Sequence, residues 1–446
     1  MNRSQDTTNC KDALKLPPRT LIFVLCFFLF ISAPSFLTFV QSTSKISKAQ
    51  EYERRSYAQW PAISNLWING EKYTKDFETA FNDRFGFRLD LVQTYAFIRF
   101  YLFGVTSNDK VLVGSNGWFF AGRGNERVEG NEIRKFDNLS DIMGQNPFSE
   151  TELRHWGKIL SERKSYLESN GSKYLFTIAP RKALIYPEHL PFAVRFQLGE
   201  NRLVQLLDYL SQETQVPTVN LVDSITQHKS KGTDTKLYFK GDGHWTPVGA
   251  FWAYQALVNK LGDLFPEKHL SPLRIDQFEV VESPNWTNRG FNALLGFSVN
   301  ETFPAMRSLD NNPLSTIKLK GKGKSRRQLI PADPEYLKTR SRLAEHGVGK
   351  TGLPWEEIGD RHDHVRHFVH IQNFGTPEFE SIVVLGDSFA EKLLYYLSAH
   401  AKHLYHYRSV LEFSPDFFEQ AGYPDIVIHE VYQGYLGDGS AVNDWN

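Results

Sequence analysis

The stretch VVLGDSF, residues 383–389, decides the fold. Three apolar residues run into Gly-Asp-Ser, and a helical pattern, AEKLLYYLSAH, follows at once. A strand that turns directly into a helix is the unit of doubly wound α/β folds, which bind ligands at the carboxyl ends of their strands. We expect Gly386 and Asp387 to form the turn, where free backbone amides at the positive helix end can stabilise an oxyanion. Ser388 is then either a nucleophile or part of an ordinary turn that caps the helix.

Strands and helices alternate on both sides of this stretch. The predicted helices are Glu150–Glu168, Glu200–Gln212, Thr246–Leu261 and Leu393–Ala399, and the predicted strands are 174–178, 218–222, 381–385 and 425–429. Such alternation predicts a mostly parallel sheet covered by helices on both faces, which is a three-layer α/β sandwich.

Two further segments do not follow this alternation of strands and helices. Residues 110–124, KVLVGSNGWFFAGRG, predict a hairpin, and we expect it to pack with the helices before it as an N-terminal addition outside the catalytic core. Roughly 266–372 is rich in Pro, Asn, Lys and Arg without clear periodicity, which indicates an insertion or long surface loops. Its alternating lysines at 318–324 are consistent either with contact to a polyanion or anionic lipid head groups, or with a solvated edge strand.

Composition and the amino terminus restrict the class of protein. The 446 residues carry 51 basic and 51 acidic side chains, and this balance argues against nucleic acid as a partner. Cys10 and Cys26 are the only cysteines, so the chain beyond them has neither a disulfide nor a Cys-ligated metal. The uncharged run Leu21–Val40 is long enough to cross a membrane. We therefore predict a cytoplasmic tail at 1–20, a signal anchor at 21–40 rather than a cleaved signal peptide, and a chain that continues outside the cytoplasm.

A second motif, YFKGDGHWT at residues 238–246, supplies what a nucleophilic serine needs. A serine requires a base, and the base requires a carboxylate that orients it. Asp242 and His244 stand two residues apart, just before Thr246 and Pro247, which are typical of the start of a helix. An Asp-x-His pair also suits a metal or a cap site. The catalytic interpretation is favoured because both motifs lie at strand–helix junctions on one edge of the predicted sheet.

Together these motifs resemble the SGNH-hydrolase-like family of alginate O-acetyltransferases, which acetylate bacterial exopolysaccharides. The resemblance runs from about residue 50 to 436 and includes further segments: NDRFGFR at 82–88, VGSNGWFF at 113–120, PRK at 180–182, YPEHLP at 186–191 and PDIVIHE at 424–430. The serine motif follows the Asp-x-His motif, as in a circular permutation of ordinary SGNH hydrolases. Two departures are Gly243, where Thr or Ser is commoner, and Gln433-Gly434 near the place of a usual Glu-Arg pair.

The resemblance implies Ser388 as nucleophile, His244 as general base and Asp242 as the residue that orients His244. It also implies an SGNH-like catalytic domain at 126–446, with an insertion at about 266–372 and a tether and N-terminal addition at 41–125. The enzyme would be a single-pass protein of the bacterial inner membrane that faces the periplasm. It would acetylate a polysaccharide with acetyl groups from a membrane-bound acyl-transfer partner of the MBOAT type. No Gly-rich phosphate loop is present, so coenzyme A is not indicated, and we expect no cofactor.

The remaining candidates have alternative interpretations. Arg181 and Lys182 follow a buried strand at the same sheet edge, where they could either bind a sugar or form internal salt bridges. Trp245 could line an acyl pocket or pack in the core. Tyr238 is a further candidate for substrate contact. The histidines of RHDHVRHFVH, 361–370, do not match a tight zinc pattern, so we expect no metal. The residues themselves do not separate a transferase from an acetylesterase, or either from a polysaccharide-binding scaffold with an inactive site.

Overall fold

The computed structural model describes residues 17–40, 42–53, 56–106, 108–123, 126–129, 132–135, 138–229, 235–284, 290–295, 301–309, 317–320, 368–407, 413, 415, 418 and 422–437. The helices are α1 Pro18–Val40, α2 Thr43–Glu53, α3 Asn65–Ile68, α4 Gly70–Asp83, α5 Arg88–Phe103, α6 Asn138–Ile142, α7 Glu150–Ser169, α8 Lys182–Ile185, α9 Phe192–Arg195, α10 Arg202–Glu213, α11 Leu221–Lys229, α12 Pro247–Leu264, α13 Gly290–Leu295 and α14 Ala390–Leu397. The strands are β1 Val111–Val113, β2 Phe119–Ala121, β3 Glu126–Glu129, β4 Glu132–Lys135, β5 Lys173–Ala179, β6 Thr218–Val219, β7 Phe278–Pro284, β8 Thr302–Ser308, β9 Ile317–Lys320, β10 Phe368–Asn373, β11 Phe379–Leu385, β12 Ala401–Tyr407 and β13 Ile426–Tyr432.

The chain divides into two compact units, Met1–Phe103 and Gly104–Asn446. In the first unit, α1 is long and apolar enough to cross a membrane, a property that signal sequences share. The expected tether contains helix α2, Thr43–Glu53. The domain boundaries expected from the sequence stay a prediction.

The second unit is built on a seven-stranded sheet in the order β6-β5-β13-β11-β12-β10-β9. The first five strands are parallel, as the strand–helix alternation predicted. The predicted α/β fold class is therefore confirmed, with one addition: β10 and β9 are antiparallel and extend one edge. These two strands come from the region expected to be an insertion. The alternating lysines begin on β9, which is the edge strand, as one of their two interpretations required.

Helices cover the sheet because apolar residues occupy both of its faces. One core cluster packs α12 and α14 against one face, around Val384 and Ile428, and a second packs α7 and α10 against the other, around Val383 and Val427. Alternate residues of β11 and β13 thus enter opposite layers, as the period of a strand requires. Ser149 caps α7 through a capping box with Glu152.

The β1–β2 hairpin forms as predicted but packs differently. Trp118, Phe119 and Phe120 are each at most 3% exposed, and two of them, Trp118 and Phe120, belong to the core cluster around α12. The amide of Phe119 donates to the carbonyl of Lys240 at 3.0 Å. The hairpin therefore belongs to the core of the second unit and is not an addition beside it, because three consecutive aromatic side chains are buried there.

Candidate active site

The structure brings three predicted residues, Asp242, His244 and Ser388, into one hydrogen-bonded chain. Ser388 Oγ lies 2.6 Å from His244 Nε2, and His244 Nδ1 lies 2.5 Å from Asp242 Oδ1. Asp242 Oδ1 also accepts the backbone amide of His244 at 2.8 Å. Burial raises the pKa of Asp242, but the neighbouring His244 ring and these hydrogen bonds outweigh it and hold that pKa well below its usual range. This carboxylate is therefore charged and fixes the orientation of the ring.

Asp242 and His244 lie on a short loop whose two ends pair in antiparallel fashion. Tyr238 and Trp245 form a β-bridge, and the amide of Phe239 donates to the carbonyl of His244 at 3.2 Å. Thr246 caps α12 through the amide of Gly249. The loop tip is held by Glu301, whose carboxylate accepts the amides of Lys240 and, at 2.9 Å, Gly241. Local pairing and one distant carboxylate thus define where the Asp-x-His pair lies.

Lys182 also holds this loop, through hydrogen bonds to its backbone. It starts α8 directly after β5, and its Nζ donates to the carbonyl oxygens of Phe239, Lys240 and Asp242, each at 2.8 Å. Burial lowers the pKa of Lys182 to about 7, and the negative charges of Asp242 and Glu301 oppose that shift. Three aromatic rings lie 5.1–5.5 Å from Nζ, those of Trp118, Phe120 and Phe291. One buried cation therefore joins three carbonyls of the loop.

Gly290 lies against the carboxylate of Asp242. Its φ of +58° is in the left-handed region, and a Cβ built on it would meet Asp242 Oδ2 at 2.4 Å and Cγ at 2.6 Å. Any side chain at this position would therefore displace the carboxylate or the backbone. This contact gives a physical reason for the glycine in RGFNALLG, residues 289–296, a segment of the region expected to be an insertion.

Gly290→Ala is expected to lower turnover by about 10²-fold, because a shift of about 1 Å in a positioned group has that effect. The left-handed backbone adds about 1–2 kcal/mol of strain. The measurement is the kcat for an aryl acetate together with the unfolding midpoint. Gly262→Ala is the matched control, since its Cβ would meet nothing within 4 Å on helix α12. Wild-type turnover in Gly290→Ala would contradict the close contact.

The turn that carries Ser388 rests on two buried carboxyl groups, those of Asp387 and Glu430. Asp387 Oδ1 accepts the amide of Phe389 at 2.7 Å, and Oδ2 accepts the amide of Tyr432 at 2.9 Å. Glu430 Oε2 accepts the amide of Asp387 at 3.1 Å. Gly386 has no room for a side chain, because a Cβ would lie 2.8 Å from Glu430 Oε2. The two carboxyl groups thus tie the turn to β13.

These contacts bear on the predicted oxyanion role. The amide of Gly386 donates to the carbonyl of Tyr407 at 3.2 Å, and the amide of Asp387 donates to Glu430. Both amides are thus engaged inside the fold. The geometry favours Gly386 and Asp387 as residues that shape the turn, and it does not favour them as donors to an oxyanion.

Glu430→Gln is expected to stabilise the protein increasingly as pH rises. Burial and the nearby charge of Asp387 raise the pKa of Glu430 well above its usual 4.5, so the folded state retains a proton that the unfolded chain releases. The stability that this proton contributes is complete below pH 4.5 and is lost as pH rises toward the folded pKa. The advantage of the glutamine variant should therefore grow by up to about 1.4 kcal/mol per pH unit.

Urea unfolding at about pH 5 and about pH 8 measures this slope. Glu380→Gln is the control, because Glu380 is an exposed carboxylate paired with Lys402 on the same sheet. A stability difference between Glu430→Gln and wild type that stayed constant over this range would show that Glu430 is ionised in the folded protein.

The four residues predicted to contact substrate, Tyr238, Arg181, Lys182 and Trp245, are all at most 3% exposed. Arg181 Nη1 donates to Asp141 Oδ2 at 2.7 Å, Tyr238 Oη to the carbonyl of Pro180 at 2.8 Å, and Trp245 Nε1 to that of Phe389 at 3.2 Å. Their polar atoms face protein partners, so the structure favours a framework role over contact with substrate.

Sequence reasoning did not assign roles to Gly290, Glu301 and Glu430. Glu430 was noticed only as part of the last matching segment, and its burial depends on β13 lying in the middle of the sheet. The other two lie in the region without periodicity, where no spacing signals a contact with a loop some 50–60 residues earlier.

Histidines outside the site do not form a metal centre among the residues that the structure describes. His370, on β10, is buried, with Nε2 3.1 Å from His403 Nδ1 and its ring stacked on Tyr405. His362, His364 and His367 of the predicted histidine-rich segment lie outside the described residues.

Comparison with known proteins matches residues 111–290 to the family model described as "SGNH hydrolase-like domain, acetyltransferase AlgX". A probable alginate O-acetylase AlgJ from Pseudomonas syringae pv. tomato is 26% identical over 207 residues, which are 46% of each chain. The chain thus spans about half the length of the curated relative it matches.

Two solved structures are also similar. Bacillus cereus PatB1 is 15% identical with a TM-score of 0.47, over 75% of this chain and 99% of that one. The O-acetyltransferase domain of Pseudomonas putida AlgJ is 16% identical with a TM-score of 0.38, over 74% of this chain and 93% of that one. The family match includes Asp242, His244 and Gly290 and ends before Ser388, so the position of the serine rests on the geometry above. Residues 111–290 thus match the model of an SGNH-hydrolase-like acetyltransferase domain, and the resemblance to alginate O-acetyltransferases predicted from the motifs is confirmed.

Proposed function

We propose that this protein is a serine O-acetyltransferase that adds acetyl groups to hydroxyls of an exopolysaccharide. The observation that carries the proposal is the continuous chain of hydrogen bonds from Ser388 through His244 to Asp242. A hydroxyl, an imidazole and a carboxylate in this order are the parts that nucleophilic catalysis by serine requires. The alginate O-acetylase description of the relatives supports acetyl as the group transferred.

The reaction follows from the roles of these atoms. Ser388 Oγ attacks the carbonyl carbon of the acetyl donor while His244 Nε2 takes the hydroxyl proton. The bond to the leaving group breaks, and the same proton passes to that group. An acetyl-serine ester remains. A hydroxyl of the glycan then loses its proton to His244 and attacks the ester, and the proton returns to Ser388 Oγ as the acetylated glycan leaves. Asp242 stabilises the imidazolium formed in each step.

A line of aromatic rings leads outward from His244 and suits a sugar acceptor. Phe389 lies 4.6 Å from the His244 ring, Tyr432 stacks on Phe389 at 4.7 Å, and Tyr435 meets Tyr432 edge-on at 6.1 Å. Tyr435 is 42% exposed, so its ring is accessible from solvent. The exposed ring of Tyr435 offers an apolar face to a sugar ring, while Phe389 beside His244 can shield an acyl-enzyme from water.

Tyr435→Ala is expected to raise KM for an oligosaccharide acceptor by about fivefold, the loss of about 1 kcal/mol of ring contact. Hydrolysis of an aryl acetate without acceptor should be unchanged, because Tyr435 is two rings away from His244. Tyr435→Phe keeps the ring and should retain the wild-type KM. If both variants matched wild type, the acceptor would bind elsewhere.

An acetylesterase that uses the same three residues is the alternative, and one assay separates the two. The full-length protein in detergent is given an aryl acetate with and without an acceptor oligosaccharide, and acetylated sugar and free acetate are both measured. A transferase should divert most of the acetyl to the sugar. Formation of free acetate alone at saturating acceptor would reject transfer and support the esterase.

We further propose that α1 anchors the protein in the bacterial inner membrane with the catalytic unit in the periplasm. A membrane-bound acyl-transfer protein of the MBOAT type would then supply acetyl groups from the other side. The apolar run of α1 supports the anchor. Deletion of the gene for such a partner, or of this gene, should each abolish acetylation of the polymer and leave its synthesis intact. Full acetylation without a membrane acyltransferase would reject the relay.

A further inference from the structure

Helix α5 carries a stripe of exposed apolar side chains on one face. Leu91, Tyr95, Ile98 and Leu102 follow the spacing i, i+4, i+7 and i+11, which places them on one side of a helix. Their exposed fractions are 55%, 55%, 43% and 73%. Ala96, on the opposite side, is buried. The helix therefore presents an apolar face to its surroundings.

Charge is almost absent along this stripe. Between Leu91 and Phe103 the only charged residue is Arg99, whose Nη1 donates to Tyr95 Oη at 3.2 Å. Its guanidinium lies 5.7 Å from the ring centre of Tyr95. Long basic side chains that lie along aromatic rings are typical of the boundary between lipid and water, where an apolar stem and a charged end are both accommodated.

The chain just before α5 contacts the span within the same unit. The amide of Gly86 donates to the carbonyl of Pro34 and to Thr38 Oγ1, each at 3.1 Å. A Cβ at Gly86 would lie 2.3 Å from that carbonyl, so the two backbones touch. Phe39 stacks on Trp60 with ring centres 5.5 Å apart. The chain that leads into α5 is thus bound to the last turns of α1.

Simple lengths place this junction at the edge of the bilayer. The 23 residues of α1 extend about 35 Å at 1.5 Å per residue, against a hydrocarbon core of about 30 Å. Pro34 and Thr38 therefore lie within the outer part of the core or just above it. Helix α5 begins at Arg88, two residues after Gly86. It starts at the lipid boundary, and its 16 residues extend about 24 Å, too short to cross.

We propose that α5 is an in-plane membrane helix, with the stripe Leu91, Tyr95, Ile98 and Leu102 inserted among the acyl chains of the leaflet in which α1 ends. The proposal rests on the membrane anchor proposed above. A partner protein is the other occupant that an apolar face can have, but the hydrogen bonds of Gly86 to α1 favour lipid, because they hold the start of α5 beside the span. The protein would thus contact the membrane at two points, a crossing helix and a helix in the surface.

The test measures the depth of fluorescent labels in lipid vesicles. Single cysteines replace Ile98, Ile31 or Lys75 in the full chain with Cys10→Ser and Cys26→Ser, and each is labelled with a polarity-sensitive dye in phosphatidylcholine vesicles. Quenchers attached high and low on the acyl chains report depth. We expect the Ile98→Cys label about 5–10 Å below the headgroup boundary, the Ile31→Cys label deeper, and the Lys75→Cys label, at an exposed position of α4, unquenched.

Each outcome decides a separate point. Quenching at Ile31→Cys without quenching at Ile98→Cys would leave the anchor standing and overturn the in-plane helix. Loss of quenching at both would reject the anchor as well. A label at Ile98→Cys that became shielded only in native membranes, and not in pure lipid, would assign the stripe to a protein partner and overturn the proposal. An equally quenched label at Leu91→Cys would support a helix parallel to the surface.

Discussion

Ser388→Ala should lower acetyl transfer by about 10³-fold or more. The variant has no oxygen to attack the acetyl donor, and His244 Nε2 loses the group that lies 2.6 Å from it. The fold should persist, because alanine removes only one hydroxyl, and the hydrogen bond between His244 and Asp242 remains. The measurement is the initial rate of aryl acetate consumption and of sugar acetylation, with the unfolding midpoint as a check on folding.

Ser211→Ala provides the matched control, since Ser211 is an exposed serine that bonds its own helix at the carbonyl of Asp208. It should retain full activity. Mass spectrometry of wild type after rapid quenching should find acetyl on Ser388 and none on Ser211. If polymer acetylation in cells were unchanged in a Ser388→Ala strain, the site would be inactive and the protein would act as a polysaccharide-binding scaffold.

Lys182→Met should lower kcat by about 10²-fold while KM for the donor stays nearly constant. Methionine has a similar length but donates nothing, so the carbonyls of Phe239, Lys240 and Asp242 would lose their common partner. The loop could then shift, and His244 would move relative to Ser388. The two parameters are measured with an aryl acetate across a range of concentrations.

The split between kcat and KM distinguishes the role seen in the structure from the one expected from the sequence. A lysine that bound substrate would raise KM and leave kcat largely intact. A lysine that positions the loop does the reverse. Lys402→Met is the control, because Lys402 pairs with Glu380 on the surface at 2.8 Å and should affect neither parameter. A rise in KM alone would instead support contact between Lys182 and the substrate.

The sequence predicted the elements around Ser388 and His244 because both lie where an apolar strand or a capped helix meets a turn. Short apolar runs with Gly or Thr-Pro beside them fix such junctions locally. The sheet order is a tertiary property, so the alternating lysines suited an edge strand, but nothing local predicted that β9 and β10 would pair antiparallel at the end of this sheet. Strand β12, AKHLYHY, was not predicted either, because histidines and a lysine break its apolar pattern.

The functions of polar residues were harder to predict than the elements that carry them. A lysine after a strand has the same sequence signal whether it faces solvent or three buried carbonyls. For Lys182, the buried position becomes evident only once the hairpin with Trp118 and Phe120 is packed beside it. Gly290 is similar, since the need for glycine comes from Asp242, far away in the chain. Local patterns therefore located Asp242, His244 and Ser388, while the residues that hold them depended on the fold.

Strand β13 is the last described strand in chain order, yet it lies in the middle of the sheet between β5 and β11. Tyr174 on β5 and His429 on β13, which are 255 residues apart, share a 2.7 Å hydrogen bond. A nascent chain therefore cannot complete the sheet until residues 426–432 have been synthesised, and before that both β5 and β11 present unpaired edges. Contacts of such long range form slowly. Folding only after synthesis of the last strand, with chaperones covering these edges until then, is the route that this topology favours.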